Sequence, residues 1–101
     1  MIIYNVTIKI DWDLQKDFEE WMKNTHIPDV LSTGCFTKNT FARLLDIDDS
    51  EGPTYSSQYI AADRANYDRY MAEFANSKRQ HLFDRYGNRF IAFRSLMEII
   101  N

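Results

Sequence analysis

The stretch Ile2-Ile3-Tyr4-Asn5-Val6-Thr7-Ile8-Lys9-Ile10 (residues 2–10) has a period of two. From Ile3 onward, one set of alternate positions holds Tyr4, Val6, Ile8 and Ile10, while the other mixes Ile3 with Asn5, Thr7 and Lys9. This alternation, together with the many β-branched residues, predicts a β-strand. The stretch is therefore predicted to be the first strand of a sheet.

A helix is predicted to follow this strand. Asp13 is a good N-cap, and the apolar residues after it recur at helical spacing: Leu14, Phe18, Trp21 and Met22. The residue before a proline avoids the helical region, so Pro28 is predicted to end the helix near Asn24 or Thr25. The first two elements thus form a β-α unit.

The rest of the chain is predicted to add three strands and one helix. The strands lie at residues 35–47, 54–62 and 89–100, and the helix runs from its N-cap Asp63 to Gly87. The order β-α-β-β-α-β with right-handed crossovers places the strands in the order 4-1-3-2. We therefore predict one α+β domain over residues 1–101, with a ferredoxin-like fold: a four-stranded antiparallel sheet with two helices on one face.

Apolar side chains occupy both faces of the last predicted strand. Phe93 and Met97 lie on one face, and Phe90 and Leu96 lie on the other. Two helices cover only one face, and soluble monomers rarely leave large apolar patches bare. We therefore expect two chains to pair their sheets in a homodimer, as in a dimeric α/β barrel; a monomer with a partly apolar sheet face is the alternative.

Composition limits the classes of function. The chain is 45% hydrophobic and 27% charged with a net charge of −3, and we interpret its basic pair Lys78-Arg79 as a solvated helix end rather than a nucleic-acid site. No apolar run approaches the length of a membrane span, and Cys35 is the single cysteine. We expect a cytoplasmic protein that binds neither nucleic acid nor membranes. The sequence has no P-loop, dinucleotide-binding motif or metal-ligand spacing, so we expect no cofactor and no metal.

Several segments together resemble a known family over nearly the full chain. They are residues 3–7, 21–22, 26–31, 33–36, 54–56, 58–59, 85–87 and 90–94. The family is a small bacterial one classed as a domain of unknown function, and it is similar to the dimeric α/β-barrel superfamily. That superfamily holds small monooxygenases, isomerases, sugar mutarotases, haem-handling enzymes and ligand-sensing regulatory domains. The resemblance implies the fold and the homodimer, and it assigns no catalytic residue.

His26 is the best single candidate for chemistry. Its ordinary pKa suits proton transfer near neutral pH, and it follows an amphipathic helix at a turn. Some superfamily enzymes place a histidine near the end of the first helix, followed by a proline, beside a cleft between helix and sheet. His26 and Pro28 resemble that arrangement. The alternative is a histidine that only caps the helix end or hydrogen-bonds to it.

Polar residues inside the predicted strands are the second signal. Asn5, Thr7, Gln58 and Arg94 interrupt otherwise apolar stretches, and buried polar groups need hydrogen-bond partners or a ligand. Arg94 is the sharpest of them, because a guanidinium binds a carboxylate or phosphate with two hydrogen bonds. An ion pair of Arg94 with Glu98, or with the other chain of the dimer, is the alternative.

Aromatic residues are predicted to line a cavity beside these groups. Trp21 and Tyr59 are the ligand-binding candidates, with the hydrophobic core as the alternative place for them. Three functions follow. The first is a small-molecule ligand-binding or regulatory domain. The second is a cofactor-independent enzyme of the isomerase, mutarotase or monooxygenase type, with His26 as acid or base. The third is a structural interaction dimer.

Overall fold

The computed structural model of the protein describes residues 1–101. The strands are β1 (Ile2–Ile10), β2 (Lys38–Arg43), β3 (Thr54–Ala61) and β4 (Phe90–Glu98). The helices are α1 (Gln15–Trp21), α2 (Ile27–Leu31), α3 (Arg64–Glu73) and α4 (Ala75–Tyr86). All strand pairs are antiparallel, in the sheet order β2-β3-β1-β4. The predicted α+β ferredoxin-like fold and strand order are confirmed.

The register of β1 decides which side chains share a face of the sheet. Val6 lies opposite Ser57 of β3 and Arg94 of β4, and Asn5 lies opposite Gln58 of β3 and Ser95 of β4. Neighbouring residues on a strand point to opposite faces. Val6, Ser57 and Arg94 are therefore on the side covered by the helices, and Asn5 and Gln58 are on the open side.

The hydrophobic core lies between the sheet and the helices. Its largest fully buried side chains come from β1 and from the first helical arm, which is the helical stretch over residues 15–31: Ile8, Ile10, Phe18, Met22 and Val30. Aromatic rings fill the rest, with Tyr4 packing 6.0 Å from Phe36 and 5.8 Å from Tyr70 between ring centroids. The face of β1 that carries Tyr4, Ile8 and Ile10 is therefore the one that the helices cover.

The first helical arm does not end before Pro28. A π-helical turn (Met22–His26) joins α1 to α2, and the Ile27 N–H donates to the Met22 carbonyl five residues back. Pro28 then lies in the first turn of α2, where its missing N–H costs nothing. The wide turn also relieves the clash of a proline ring with the carbonyl four residues back. The predicted helix end near Asn24 or Thr25 was wrong for this reason.

The second helical arm is broken into α3 and α4. Phe74 leaves the helical region, with φ −125° and ψ −30°, so the helix is interrupted there. Asp63 caps α3 through a hydrogen bond from the Asn66 N–H (2.9 Å), and Gly87 takes a positive φ of 59° after α4. Both predicted ends of this arm are confirmed.

The open face of the sheet carries no helix. At its edge Ile91 and Phe93 of β4 are 54% and 68% exposed. Toward the centre, the Ser56 Oγ donates to the Asn5 Oδ1 (2.6 Å), and the Asn5 Nδ2 donates to the Thr7 Oγ1 (2.9 Å). The face thus combines an apolar edge with a hydrogen-bonded polar centre.

None of the helices has both the length and the apolar character that crossing a membrane requires.

Candidate functional site

A cavity lies on the helix side of the sheet, between α4 and the strands β1, β3 and β4. Tyr4, Ser57 and Tyr59 form its floor, His26 lies at one wall, and Arg94 is exposed at its mouth. Its volume is about 20 Å³, which is the space of about one water-sized group. The cavity is therefore small and polar at several points.

His26 reaches this cavity from the end of the π-helical turn. The residue is only 9% exposed, and burial lowers the pKa of His26 to about 4. The Asp29 carboxylate opposes this shift, while the positive charge of Lys78 adds to it. No hydrogen bond contributes to the shift. The imidazole is therefore neutral at pH 7, where it can donate one hydrogen bond and accept one.

Trp21 holds the His26 ring rather than lining the cavity. The two rings are stacked at 4.8 Å between centroids, and the Tyr86 ring meets the indole edge-on at 5.5 Å. The Arg85 guanidinium lies over the same indole, 5.4 Å from its centroid. Trp21 is half-buried, so it separates His26 from solvent on one side.

Three cationic side chains line the same cavity: Lys78, Arg79 and Arg94. The Lys78 Nζ donates to the Asp29 Oδ2 (2.8 Å), and an Arg79 NH2 group donates to the Tyr4 hydroxyl (3.3 Å). The Arg79 Nε is buried without any hydrogen-bond partner. Arg94 forms no ion pair, so the alternative of an Arg94–Glu98 pair does not hold within the chain.

Two hydroxyl groups complete the floor of the cavity. Ser57 is 1% exposed and accepts a hydrogen bond from the Asn39 Nδ2 (2.9 Å). Burial raises the pKa of Tyr59 to about 12, so its phenol stays protonated at neutral pH. Both groups can therefore serve as hydrogen-bond donors to a ligand.

The structure divides the six predicted ligand-binding residues between the two faces of the sheet. Tyr59 and Arg94 line the cavity, and Trp21 supports it through His26. Asn5, Thr7 and Gln58 lie on the open face, away from His26. One site therefore cannot use all six, and the reason is the register: each of the three is one residue out of phase with the strand residues that face the helices.

Lys78 and Arg79 are the cavity residues that the sequence reading missed. The sequence predicts a solvated helix end for this pair, whereas both residues are half-buried and line the cavity. The sequence does contain a signal for this position, because Ala75, Arg79, Leu82 and Tyr86 recur at helical spacing. In the structure, Ala75, Leu82 and Tyr86 are buried. A basic residue within the buried stripe of a helix points into the protein, not away from it.

Cys35 is buried and hydrogen-bonded only to its own loop, with its Sγ 3.9 Å from the Thr33 carbonyl. His, Cys, Asp and Glu side chains do not form any group of three that could hold a metal ion. The cavity is therefore the one place where the predicted site residues, other than those of the open face, come together.

Comparison with solved structures finds many proteins of the same fold. HapK from Hahella chejuensis is 17% identical with a TM-score of 0.71, over 100% of this chain and 94% of its own. A protein described as dimeric and ferredoxin-like, from an uncultured marine organism, is 14% identical with a TM-score of 0.70, over 99% and 95%. SnoaB from Streptomyces nogalater, described as a cofactor-independent oxygenase, is 14% identical with a TM-score of 0.68, over 99% and 94%.

These likenesses establish the fold. No curated protein matches the chain. A family model described as a domain of unknown function (DUF4286) matches residues 1–100, nearly the whole chain. The chain therefore belongs to the DUF4286 family, whose fold in this protein is ferredoxin-like.

Proposed function

We propose that the protein is a small-molecule-binding domain that acts as a homodimer, with its ligand in the cavity beside His26. The observation that carries this proposal is the convergence of neutral His26 with Ser57, Tyr59, Arg79 and Arg94 on one partly enclosed space. Ligand sites are concave and mostly apolar, with a few polar groups that fix orientation. A purely structural dimer would need no such arrangement.

The open face of the sheet supports the homodimer. In the single chain the apolar side chains of Ile91 and Phe93 remain exposed, and they lie on the face without helices. A second copy of the same face would cover them, and it would also enclose the polar centre around Asn5. Structural relatives that are themselves described as dimeric are consistent with this pairing.

Binding without turnover is favoured over catalysis by the state of His26. A histidine with a pKa of about 4 is neutral at pH 7 and therefore cannot act as a general acid there. As a base it would be weak, and no carboxylate is hydrogen-bonded to its ring to orient it, since Asp29 is engaged by Lys78. In the enzyme alternative His26 would act in its neutral form, as a weak base or a hydrogen-bond donor.

A fragment screen with a blocked cavity tests the proposal. Small organic fragments are screened against the full chain by saturation-transfer NMR, and the hits are tested again on Ser57→Leu. The added leucine atoms fill the floor of the cavity, so the hits should lose their signal. Thermal melting of Ser57→Leu checks that the variant is folded.

Ser50→Leu is the matched control, because Ser50 is exposed in the loop between β2 and β3 and lies outside the cavity. It should keep every hit. The proposal fails if the screen gives no hits, or if folded Ser57→Leu binds the same fragments as the unaltered protein.

A further inference from the structure

We propose that the ligand of this cavity is a small organic carboxylate, held by the guanidinium groups of Arg79 and Arg94. The inference rests on the proposed function and names the chemical class of the ligand. It follows from the charges of the lining, from one orphaned donor, and from the size and polarity of the space.

The lining carries more positive charge than it can balance. Lys78, Arg79 and Arg94 face the cavity together with His26, and no Asp or Glu is among the lining residues. Asp29 neutralises Lys78 from outside the cavity. Two guanidinium groups therefore remain without a carboxylate. Arg94 is exposed to solvent, but Arg79 is half-buried, which is unfavourable for a cation unless an anion joins it.

The buried Nε of Arg79 is the sharpest sign of a missing acceptor. One NH2 group of Arg79 is engaged by the Tyr4 hydroxyl and the Met71 sulfur, and the Nε–H has no partner. Buried donors in proteins nearly always have a partner, so this one marks a place for an acceptor atom. The Nε–H can therefore donate one charge-assisted hydrogen bond to a carboxylate oxygen.

Arg79 and Arg94 line the same cavity from two different elements. Arg79 belongs to α4 and Arg94 to the strand β4, and both share the lining with Tyr70. Burial raises the pKa of Tyr70, and the positive charges of both arginines act against that shift. An anion in the cavity would therefore be attracted by two cations.

The size and the apolar lining favour a carboxylate with an organic remainder. The cavity volume of about 20 Å³ admits one water-sized group, such as a single carboxylate oxygen, unless side chains move. Eight of the thirteen lining residues are hydrophobic, and they offer contact to carbon atoms that inorganic phosphate does not have. A ligand with one carboxylate oxygen in this space would leave its remaining atoms nearer the surface, where Arg94 is exposed.

NMR of the arginine side chains tests this assignment directly. The full chain at pH 7 is titrated with acetate and benzoate, with benzamide as the neutral analogue of benzoate, and with inorganic phosphate. We expect the carboxylates to move the Arg79 Nε–H signal saturably. Arg79→Gln and Arg94→Gln should each weaken benzoate binding about tenfold or more, as loss of a hydrogen bond to a charged group does. Arg64→Gln removes an exposed guanidinium of α3, already paired with Asp68, and should leave the affinity unchanged.

The outcomes separate this inference from the proposed function. If benzamide moves the His26 signals as benzoate does while the Arg79 signal stays in place, the cavity binds small molecules and the carboxylate assignment is wrong. A shift with phosphate alone also overturns it. If none of the four probes moves the His26 or Arg79 signals, both the assignment and the proposed function lose their support. Arg94→Gln keeps the test decisive should Arg79→Gln fail to fold, since Arg94 is exposed.

Discussion

His26 and Trp21 are stacked, with their ring centroids 4.8 Å apart and their planes inclined by 26°. This contact joins the end of α1 to the cavity, since Trp21 lies on the outer side of the pair and His26 on the inner side. The indole therefore keeps the imidazole dry and neutral without touching a ligand itself.

Loss of the indole should expose His26. We expect Trp21→Ala to lower the free energy of unfolding by about 2–4 kcal/mol, because the side chain is half-buried rather than fully buried. The pKa of His26, followed by NMR titration, should rise from about 4 toward its ordinary value of 6.5. Trp12→Ala removes a 41% exposed indole that packs under Arg43, and it should leave the His26 pKa unchanged. An unaltered His26 pKa in folded Trp21→Ala would contradict this account.

Burial of neutral His26 should also make the fold sensitive to acid. The pKa of His26 is lowered in the folded state, so between pH 6.5 and about 4 the unfolded chain binds more protons and stability falls with falling pH. From pH 7 to pH 5 the loss should be about 2 kcal/mol, at roughly 1.4 kcal/mol per pH unit. Urea unfolding at a fixed protein concentration measures it.

His26→Gln should remove most of this dependence, and His81→Gln should keep it, because His81 is exposed and paired only loosely with Asp29 at 3.6 Å. The range from pH 7 to pH 5 lies above the titration of the Asp17 and Asp29 carboxylates. Asp17 and Asp29 have lowered pKa values, so their contribution is lost only below their ordinary value of 3.8. Equal slopes for the unaltered protein and His26→Gln would show that His26 is not buried as described.

Pairing of the open faces predicts a dimer of about twice the 12.0 kDa chain mass in sedimentation at micromolar concentration. Phe93→Glu puts a charge into the apolar edge of that face and should give monomers. Phe83→Glu is the matched control, because Phe83 is 56% exposed on α4, on the other side of the molecule. A monomer for the unaltered chain, or dissociation by both variants alike, would contradict pairing through the sheet.

The polar centre of the open face should contribute to stability apart from any ligand. Asn5→Ala removes the acceptor of Ser56 and the donor to Thr7, in a position only 8% exposed. We expect a loss of about 1–3 kcal/mol in the free energy of unfolding, as for buried groups left without partners. Thr40→Ala, at an exposed position of the same face, should change little. Fragment binding in the cavity should survive Asn5→Ala.

Much of the fold could be predicted from the sequence, because periodicity reports which side of an element is covered. The alternation of β1, the cap Asp63 and the end at Gly87 were all correct. Pro28 misled, because a π-helical turn is a local adjustment that leaves no pattern in the residues around it. Strand β2 is shorter than the predicted range 35–47, because only Lys38–Arg43 pair with β3.

The site was harder to predict than the fold. Gln58 and Tyr59 are neighbours in sequence and lie on opposite faces, so only the register between strands decides which one can meet His26. For Arg79 the pattern was informative and the residue type was not. Its charge suggested the surface, but it lies on the same face of α4 as the buried Leu82 and lines the cavity. Side-chain type was a poor guide at both positions, and position within the pattern was a good one.

A crystal structure of the protein, soaked with a mixture of small organic fragments, tests the central claim most directly. The account predicts a fragment in the cavity bounded by His26, Ser57 and Tyr59, with a polar atom near the Arg79 Nε, in both protomers of a dimer joined through the open faces of the sheets. A cavity that holds only water, with fragments bound elsewhere or not at all, would contradict it.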